Sequence, residues 1–228
     1  MSCSNTDIQE SFLALSRSLP AGVQLLCVSK YHPSCAALAA YEAGARCFGE
    51  SRVQELVEKA QTLPRDIKWH FIGHLQTNKI RKLLPFVSLV HGVDSWHLLE
   101  KIDKVASSES LVVNVLLEVK ISRDEMKSGF SVPTLLDMLR GGGWNTLHSV
   151  RICGLMGVAT NTGDAACIRQ EFSRLHALFE TLKRDFFADD SNFTILSMGM
   201  THDWKIAVEE GSTMIRIGQG LFGDKETT

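Results

Sequence analysis

Short apolar segments alternate with longer segments of helical period along the whole chain, and this alternation limits its fold more than any other feature. It is typical of parallel strands joined by crossover helices. The strand candidates are the eight apolar segments 24–30, 46–49, 68–72, 89–93, 112–119, 151–158, 193–198 and 214–217. Because these segments are apolar on both faces, we expect each strand to be covered on both sides.

Helix signals mark the segments around and between the strands. Gly44 and Gly211 stand just after periodic segments, as C-terminal cap glycines do, and Pro133 stands in a first turn. Ser51 and Gln54 have the spacing of a capping box. Together with the periodicity, these signals predict helices at 8–18, 34–43, 51–61, 78–84, 95–106, 133–139, 165–187 and 203–210.

Eight strands and seven intervening helices predict a single (β/α)8 TIM barrel with an extra N-terminal helix. No linker or change of composition divides residues 1–228, so we expect one domain. An open doubly wound sheet is the alternative fold. A dinucleotide-binding sheet of this kind would have a GxGxxG motif after its first strand, and this chain has none there. In a barrel, polar residues at the C-terminal strand ends are the candidates for function.

Composition and charge exclude several classes of function. The net charge is -2 at pH 7 without a basic stripe, so we expect no nucleic-acid partner. No segment approaches the roughly 20 apolar residues that span a bilayer, and no leader pattern opens the chain, so we expect a cytoplasmic protein without a membrane segment. The cysteines at 3, 27, 35, 47, 153 and 167 form no CxxC pair, which predicts reduced, mostly buried thiols. His70 and His74 lack an acidic third ligand, so we expect no metal.

Lys30 ends the first apolar segment. Leu26, Val28 and Lys30 share one face of a strand, and if that face points into the barrel, the lysine amine emerges at its mouth. Lysine is seldom buried without a partner, so this one is held there for its amine, pairs with Glu50, or extends its amine into water. The residues alone leave these alternatives open.

The seventh and eighth strand ends, at 197–201 and 216–220, are both rich in glycine. In (β/α)8 barrels the loops after these strands often bind phosphate through backbone N–H groups. A lysine on one side of the mouth and a phosphate site on the other indicate a phosphorylated carbonyl compound bound as a Schiff base. His74 is predicted to lie in a loop that closes over this pocket, with Asn78 as a polar contact; hydrogen bonding within the loop is the alternative.

Eight stretches at the strand ends form an ordered set of motifs: VSK (28–30), FGESRVQE (48–55), WHFIGHLQTNK (69–79), VDS (93–95), KSGF (127–130), GLMGVA (154–159), LSMGMTHDW (196–204) and RIGQGLFG (216–223). In this order and with this coverage, the chain resembles the pyridoxal phosphate homeostasis proteins. This is the YggS/PROSC family of single-domain, fold type III barrels, similar to the alanine racemase N-terminal domain.

The resemblance implies a cofactor and a set of residues that hold it. Lys30 is expected to carry pyridoxal 5'-phosphate (PLP) as a Schiff base, and Arg216 is expected to face the pyridine nitrogen. The phosphate is expected on two turns, Ser197-Met198-Gly199 and the turn at Gly218.

Three of the matching positions depart from the family pattern. Ser51 stands where the family generally has asparagine, which shortens a side chain expected to face the pocket. Thr201 keeps a hydroxyl where the family often has serine. Gln219 stands where a small hydroxyl residue is common, so its side chain either reaches around the phosphate or turns away and leaves binding to backbone amides.

The resemblance also implies a role: a PLP carrier or buffer in intracellular PLP homeostasis, monomeric, with PLP-dependent apoenzymes as partners and no accepted catalytic reaction. A PLP-dependent amino-acid racemase is the runner-up. It needs a second acid/base opposite the lysine. Of the two tyrosines, Tyr31 would point elsewhere if the strand continues past Lys30, and Tyr41 is predicted to lie in a helix. A cofactor-free Schiff-base aldolase and a catalytically silent interaction module also stay open.

Overall fold

The structure, a computed structural model, describes residues 4–124 and 127–224. Within them lie eight strands: β1 Gln24–Val28, β2 Cys47–Glu50, β3 Lys68–Phe71, β4 Val87–Val93, β5 Val113–Glu118, β6 Val150–Met156, β7 Ile195–Ser197 and β8 Met214–Ile217. They run parallel and pair in chain order, and β1 also pairs with β8, which closes the sheet. The predicted (β/α)8 barrel is confirmed.

Helices surround the barrel. They are α1 Asn5–Ser18, α2 Ser34–Glu42, α3 Val53–Thr62, α4 Ile80–Leu83, α5 Trp96–Ser108, α6 Val132–Arg140, α7 Ala165–Asp185, α8 Trp204–Glu209 and α9 Gln219–Phe222. Two 3₁₀ turns, Thr77–Lys79 and Gly143–Thr146, precede α4 and β6. The predicted N-terminal helix packs against α2 and α9. The short α9 follows β8 inside a glycine-rich stretch, where the sequence pattern predicts no helix.

The predicted capping box at α3 is wrong. The N-cap is Arg52, in an extended conformation and without a side-chain capping bond, because β2 continues to Glu50 and delays the helix. The Ser51 hydroxyl is instead buried without a hydrogen-bond partner among the described residues. A capping box does form at α1, where Ser4 and Asp7 bond each other's backbone N–H, and it starts that helix three residues before the predicted 8–18 segment.

Two apolar layers fill the fold. The larger one lies between the sheet and the helices. The smaller one fills the barrel interior with inward side chains: Leu26, Cys47, Leu89, Leu116, Cys153, Met156 and Met214. Buried polar residues of β3, β4, β7 and β8 (His70, His91, Ser197 and Arg216) share the parity of inward side chains. The interior therefore changes from apolar to polar toward the C-terminal mouth.

The cysteines agree with the expectation of reduced, mostly buried thiols as far as the structure describes them. Cys27, Cys47, Cys153 and Cys167 are buried and free, and Cys35 is exposed and free. The remaining cysteine, at position 3, lies outside the described residues. In the part of the chain that is described, no group of three or more His, Cys, Asp or Glu side chains could hold a metal ion. No helix there has both the length and the apolar character needed to cross a bilayer.

Candidate functional site

A cavity of about 400 Å³ opens at the C-terminal end of the barrel. It lies where β1 and β8 deliver their last residues, so its walls come from neighbouring strands and the loops that follow them. Its lining residues are Val28, Lys30, Tyr31, His32, Ile72, Met200, Thr201, Arg216, Gly218, Gln219, Gly223 and Asp224. Four predicted site residues are therefore brought together: Lys30, Arg216, Gly218 and Gln219.

Lys30 reaches this cavity from a turn. β1 ends at Val28, two residues before the predicted end, but the predicted alternation holds, because Leu26 faces the interior and Val28 and Lys30 line the cavity. Among the described residues, the half-buried Lys30 amine makes no hydrogen bond or ion pair, and it lies 5.8 Å from the centroid of the Tyr31 ring. The alternative in which Lys30 pairs with Glu50 is wrong.

Glu50 pairs with a different lysine. Lys59 of α3 donates to Glu50 Oε1 at 2.7 Å and to the Ser29 carbonyl oxygen at 2.8 Å. The Ser29 hydroxyl donates to the same Glu50 oxygen at 2.7 Å, and all three residues are buried. Burial raises the pKa of Glu50 and the Lys59 ammonium opposes that rise. These bonds anchor the residue directly before Lys30 to α3.

Tyr31 adopts a left-handed backbone conformation, with φ of 66°, which is uncommon for a residue with a side chain. Glu55 of α3 holds it there by accepting a hydrogen bond from the Tyr31 N–H at 3.1 Å. Tyr31 is expected to point elsewhere only if the strand continues, and the strand ends at Val28, before Tyr31. Tyr31 lines the cavity together with Lys30, and the centroid of its ring lies 4.9 Å from the Arg52 guanidinium carbon.

Arg216 forms a buried cationic wall of the cavity and is 5% exposed. Its Nη1 donates to the carbonyl oxygen and the hydroxyl of Ser197, both at 2.8 Å, and its Nη2 donates to the Gly157 carbonyl oxygen at 3.0 Å. Burial lowers the pKa of Arg216 to about 10, while the carboxylates of Glu118 and Asp203 counteract that effect. The guanidinium therefore stays charged at neutral pH in a fixed orientation.

Next to Arg216, the rim of the cavity is formed by Gly218, Gln219 and Thr201, whose hydroxyl accepts a hydrogen bond from the Gly220 N–H at 3.2 Å. A Cβ on Gly218 would lie 3.2 Å from the Val28 carbonyl oxygen, and one on Gly220 would lie 3.1 Å from the Thr201 methyl carbon. Both contacts are tighter than most real Cβ contacts, so a larger residue at either position would require its neighbour to shift by a few tenths of an ångström. The Gln219 side chain is exposed and donates to Asp224 at 2.6 Å. Thr201 lines the cavity but is missing from the predicted site residues. Its position in the glycine-rich segment 197–201 at the end of the seventh strand could have identified it.

The turn at 197–199 supports the cavity from behind and does not line it. Ser197 is fully buried and bonded to Arg216. Met198 is also fully buried, but it packs in the layer between sheet and helices. The Gly199 carbonyl oxygen accepts a hydrogen bond from the backbone N–H of Arg216 at 2.9 Å. Gly199 has φ of 96°, and a Cβ there would lie 2.6 Å from the Ala207 side chain of α8.

Ser51, His74 and Asn78 are not brought to the cavity. Ser51 and His74 line a separate cleft of about 250 Å³, and His74 Nδ1 lies 3.3 Å from a carboxylate oxygen of Asp94. Asn78 is exposed in the 3₁₀ turn before α4. The loops after β2 and β3 pack on each other so closely that a Cβ on Gly73 would lie 2.3 Å from the Ser51 carbonyl oxygen.

Known proteins are similar to this chain both in sequence and in the arrangement of helices and strands. The model of the alanine racemase N-terminal domain family matches residues 6–226. The pyridoxal phosphate homeostasis protein of Aquifex aeolicus is 36% identical over 204 residues, which is 89% of this chain and 87% of the relative. The chain therefore belongs to the family of pyridoxal phosphate homeostasis proteins, within the alanine racemase N-terminal domain family. The resemblance inferred from the strand-end motifs is confirmed.

Solved structures support the family assignment. PipY of Synechococcus elongatus with PLP bound has a TM-score of 0.86 and 38% identity, over 95% of this chain and 100% of PipY. The same protein without PLP has a TM-score of 0.89. Alanine racemase from Bartonella henselae has a TM-score of 0.76 at 15% identity, and the chain covers 60% of it, so this likeness shows the fold alone.

Proposed function

We propose that this protein binds PLP as a Schiff base on Lys30 and takes part in intracellular PLP homeostasis as a carrier or buffer, without a catalytic reaction of its own. The observation that carries the proposal is that the Lys30 amine, which has no polar partner among the described residues, enters the same cavity as the buried Arg216. The names of the relatives and the PLP-bound PipY structure support it.

The residues around the cavity fit the functional groups of PLP. A volume of about 400 Å³ is within the usual range for a small-molecule site. Lys30 is suited to the aldehyde, Arg216 to the ring nitrogen, and Thr201 and the backbone at Gly218 to the phosphate. When bound to a lysine, PLP supplies an electrophilic carbon and an electron-withdrawing ring. Ser197 supports this fit through Arg216, and we assign Gln219 a place at the rim beside the phosphate.

Arg216 argues against most reactions of PLP enzymes. Its permanent positive charge disfavours protonation of a nearby pyridine nitrogen, and an unprotonated ring is a weak electron sink. Transamination and decarboxylation both need a strong one. The geometry therefore favours a protein that holds the cofactor over one that uses it.

Racemisation would require an acid/base on the side of the substrate opposite Lys30. Tyr31 lines the cavity, with its ring centroid 5.8 Å from the lysine amine, and no observation assigns it the role of that second acid/base. The cofactor-free aldolase has no observation in its favour, and the relatives are named for PLP homeostasis. We further propose a single monomeric domain over residues 1–228 that hands PLP to PLP-dependent apoenzymes in the cytoplasm.

Borohydride reduction of PLP-loaded protein, followed by peptide mass mapping, tests the proposal. We expect the cofactor mass on the peptide that contains Lys30 and no labelling in Lys30→Ala. Lys79→Ala is the matched control, because Lys79 lines the neighbouring cleft and should not change labelling. Protein that is colourless as isolated and takes up no added PLP would overturn the proposal, and a label on another lysine would reassign the residue.

A further inference from the structure

Four buried polar side chains cross the barrel interior beneath the cavity. His70 Nδ1 lies 3.0 Å from His91 Nε2, and His91 Nδ1 lies 3.3 Å from the Ser197 hydroxyl. That hydroxyl lies 2.8 Å from Arg216 Nη1. The four residues come from β3, β4, β7 and β8 and are at most 5% exposed. A continuous hydrogen-bonded row therefore links the two histidines to the cation that lines the cavity.

The direction of every hydrogen bond in this row follows from Arg216. A guanidinium only donates, so the Ser197 oxygen accepts from Nη1 and its proton is left to donate elsewhere. The acceptor in reach is His91 Nδ1, which must then carry no proton, and neutral His91 holds its proton on Nε2 and donates to His70 Nδ1. The reverse direction would leave the buried Ser197 O–H without an acceptor among the described residues, which is costly.

Electrostatics keep the row in this state. Burial, with the nearby Lys68 ammonium, lowers the pKa of His70 to about 4. Burial, together with His70 and the Arg216 guanidinium, lowers the pKa of His91 well below its ordinary value. Both rings are therefore neutral at pH 7, and each can offer one acceptor nitrogen and one donor nitrogen.

We propose that His91 is a positioning residue for Arg216 and acts through Ser197. By accepting the Ser197 proton, His91 directs the Ser197 lone pair to Nη1, and the guanidinium keeps both of its bonds to Ser197. Without this acceptor, nothing fixes the rotation of the Ser197 hydroxyl, and its lone pair is no longer held toward Nη1. The consequence for PLP affinity rests on the proposed function, whereas the positioning of Arg216 does not.

The first experiment uses the protein without PLP, labelled with ¹⁵N at histidine and arginine. At pH 7 we expect His70 and His91 each to show a protonated Nε2 and an unprotonated Nδ1. We also expect resolved signals for Nη1 and Nη2 of Arg216, because bonds to Ser197 and Gly157 slow its rotation. The opposite tautomer at His91, or a doubly protonated ring, would overturn the proposal whether or not the protein binds PLP.

Two substitutions separate positioning from packing. His91→Asn keeps an acceptor near the position of Nδ1 but leaves a void, whereas His91→Leu fills the space without an acceptor. We expect His91→Leu to merge the Arg216 Nη signals and to weaken PLP binding about tenfold, and His91→Asn to keep the signals resolved and to change binding less than about threefold. The reverse order would assign His91 a packing role only.

Ser197→Ala is the second test of the same row, because it deletes one oxygen and introduces no bulk. It should merge the Arg216 Nη signals and let His91 populate both tautomers. An unchanged His91 tautomer and unchanged Arg216 signals would contradict the row. Protein that shows the expected NMR signals but takes up no PLP would overturn the proposed function and leave the positioning role intact.

Discussion

Two lysines are found at the turn that follows β1, and their surroundings differ: Lys30 lies in the turn, and Lys59 bonds to it from α3. Lys59 is 5% exposed and paired with Glu50 and the Ser29 carbonyl oxygen. Lys30 is half-buried at the cavity and has no hydrogen bond or ion pair within the described part of the chain. A buried ammonium with partners holds structure together, whereas one without partners keeps its amine available for chemistry. The difference separates a structural lysine from a functional one.

Removing the buried Lys59 ammonium from its bonds to Glu50 and Ser29 should give the largest effect on stability. Lys59→Met leaves Glu50 as an uncompensated buried carboxylate, so we expect a loss of about 3–5 kcal/mol in the free energy of unfolding. Lys30→Met removes no polar partner and should cost less than about 1 kcal/mol. Urea unfolding of both variants, with the same slope against denaturant, measures the difference.

A third variant sharpens the comparison. Adding Glu50→Gln to Lys59→Met removes the uncompensated charge and should recover part of the lost stability. Equal losses for Lys30→Met and Lys59→Met would contradict the distinction between the two lysines. PLP uptake should follow the reverse pattern, because Lys30→Met abolishes it, while Lys59→Met weakens it only by loosening the turn.

The buried histidines make the stability of the folded protein depend on pH. The pKa of His70 falls from its ordinary 6.5 to about 4 in the folded protein, chiefly through burial. Between these values the unfolded chain binds the proton and the folded chain does not, so stability is lost as pH falls from 6.5 toward 4. One such group contributes about 3 kcal/mol over this window.

His70→Asn should therefore reduce the loss of unfolding free energy between pH 7 and pH 4.5. The asparagine keeps an acceptor for the His91 N–H but has no group that titrates there. His97→Asn, at an exposed histidine, is the matched control and should leave the pH dependence unchanged. A pH dependence that is the same in wild type and His70→Asn would show that His70 is already protonated or exposed.

The sequence predicts the position of Lys30 but not that of Lys59. Lys30 could be placed at the mouth because Leu26, Val28 and Lys30 alternate along one strand. Lys59 stands in an amphipathic helix, where a charged residue is ordinarily solvated, and its burial depends on Glu50 of another element. Alternation identifies which face of an element a residue occupies, but not which partner arrives from elsewhere.

The same limit explains the remaining differences at the site. Period two along β7 already places Ser197 inward with Ile195, and so Met198 toward the helices, a consequence the predicted set did not use. Ser51 and His74 follow strand ends as predicted, yet they line another cleft because their loops pack on each other. The position of a loop at the mouth depends on contacts between loops, which local sequence does not encode.

The smallest expected effect concerns Gln219, which follows β8, the strand that pairs with the one leading to Lys30. Its exposed side chain already donates to Asp224, another residue that lines the cavity, so we expect the backbone at Gly218 to meet a phosphate. Gln219→Thr adds a hydroxyl close to that backbone, and we expect PLP affinity to rise about threefold, the yield of one modest hydrogen bond. Gln219→Val is the matched control, because valine has nearly the shape of threonine but adds no hydroxyl. Fluorescence titration with PLP measures both; weaker binding in Gln219→Thr would mean that the glutamine itself contacts the phosphate.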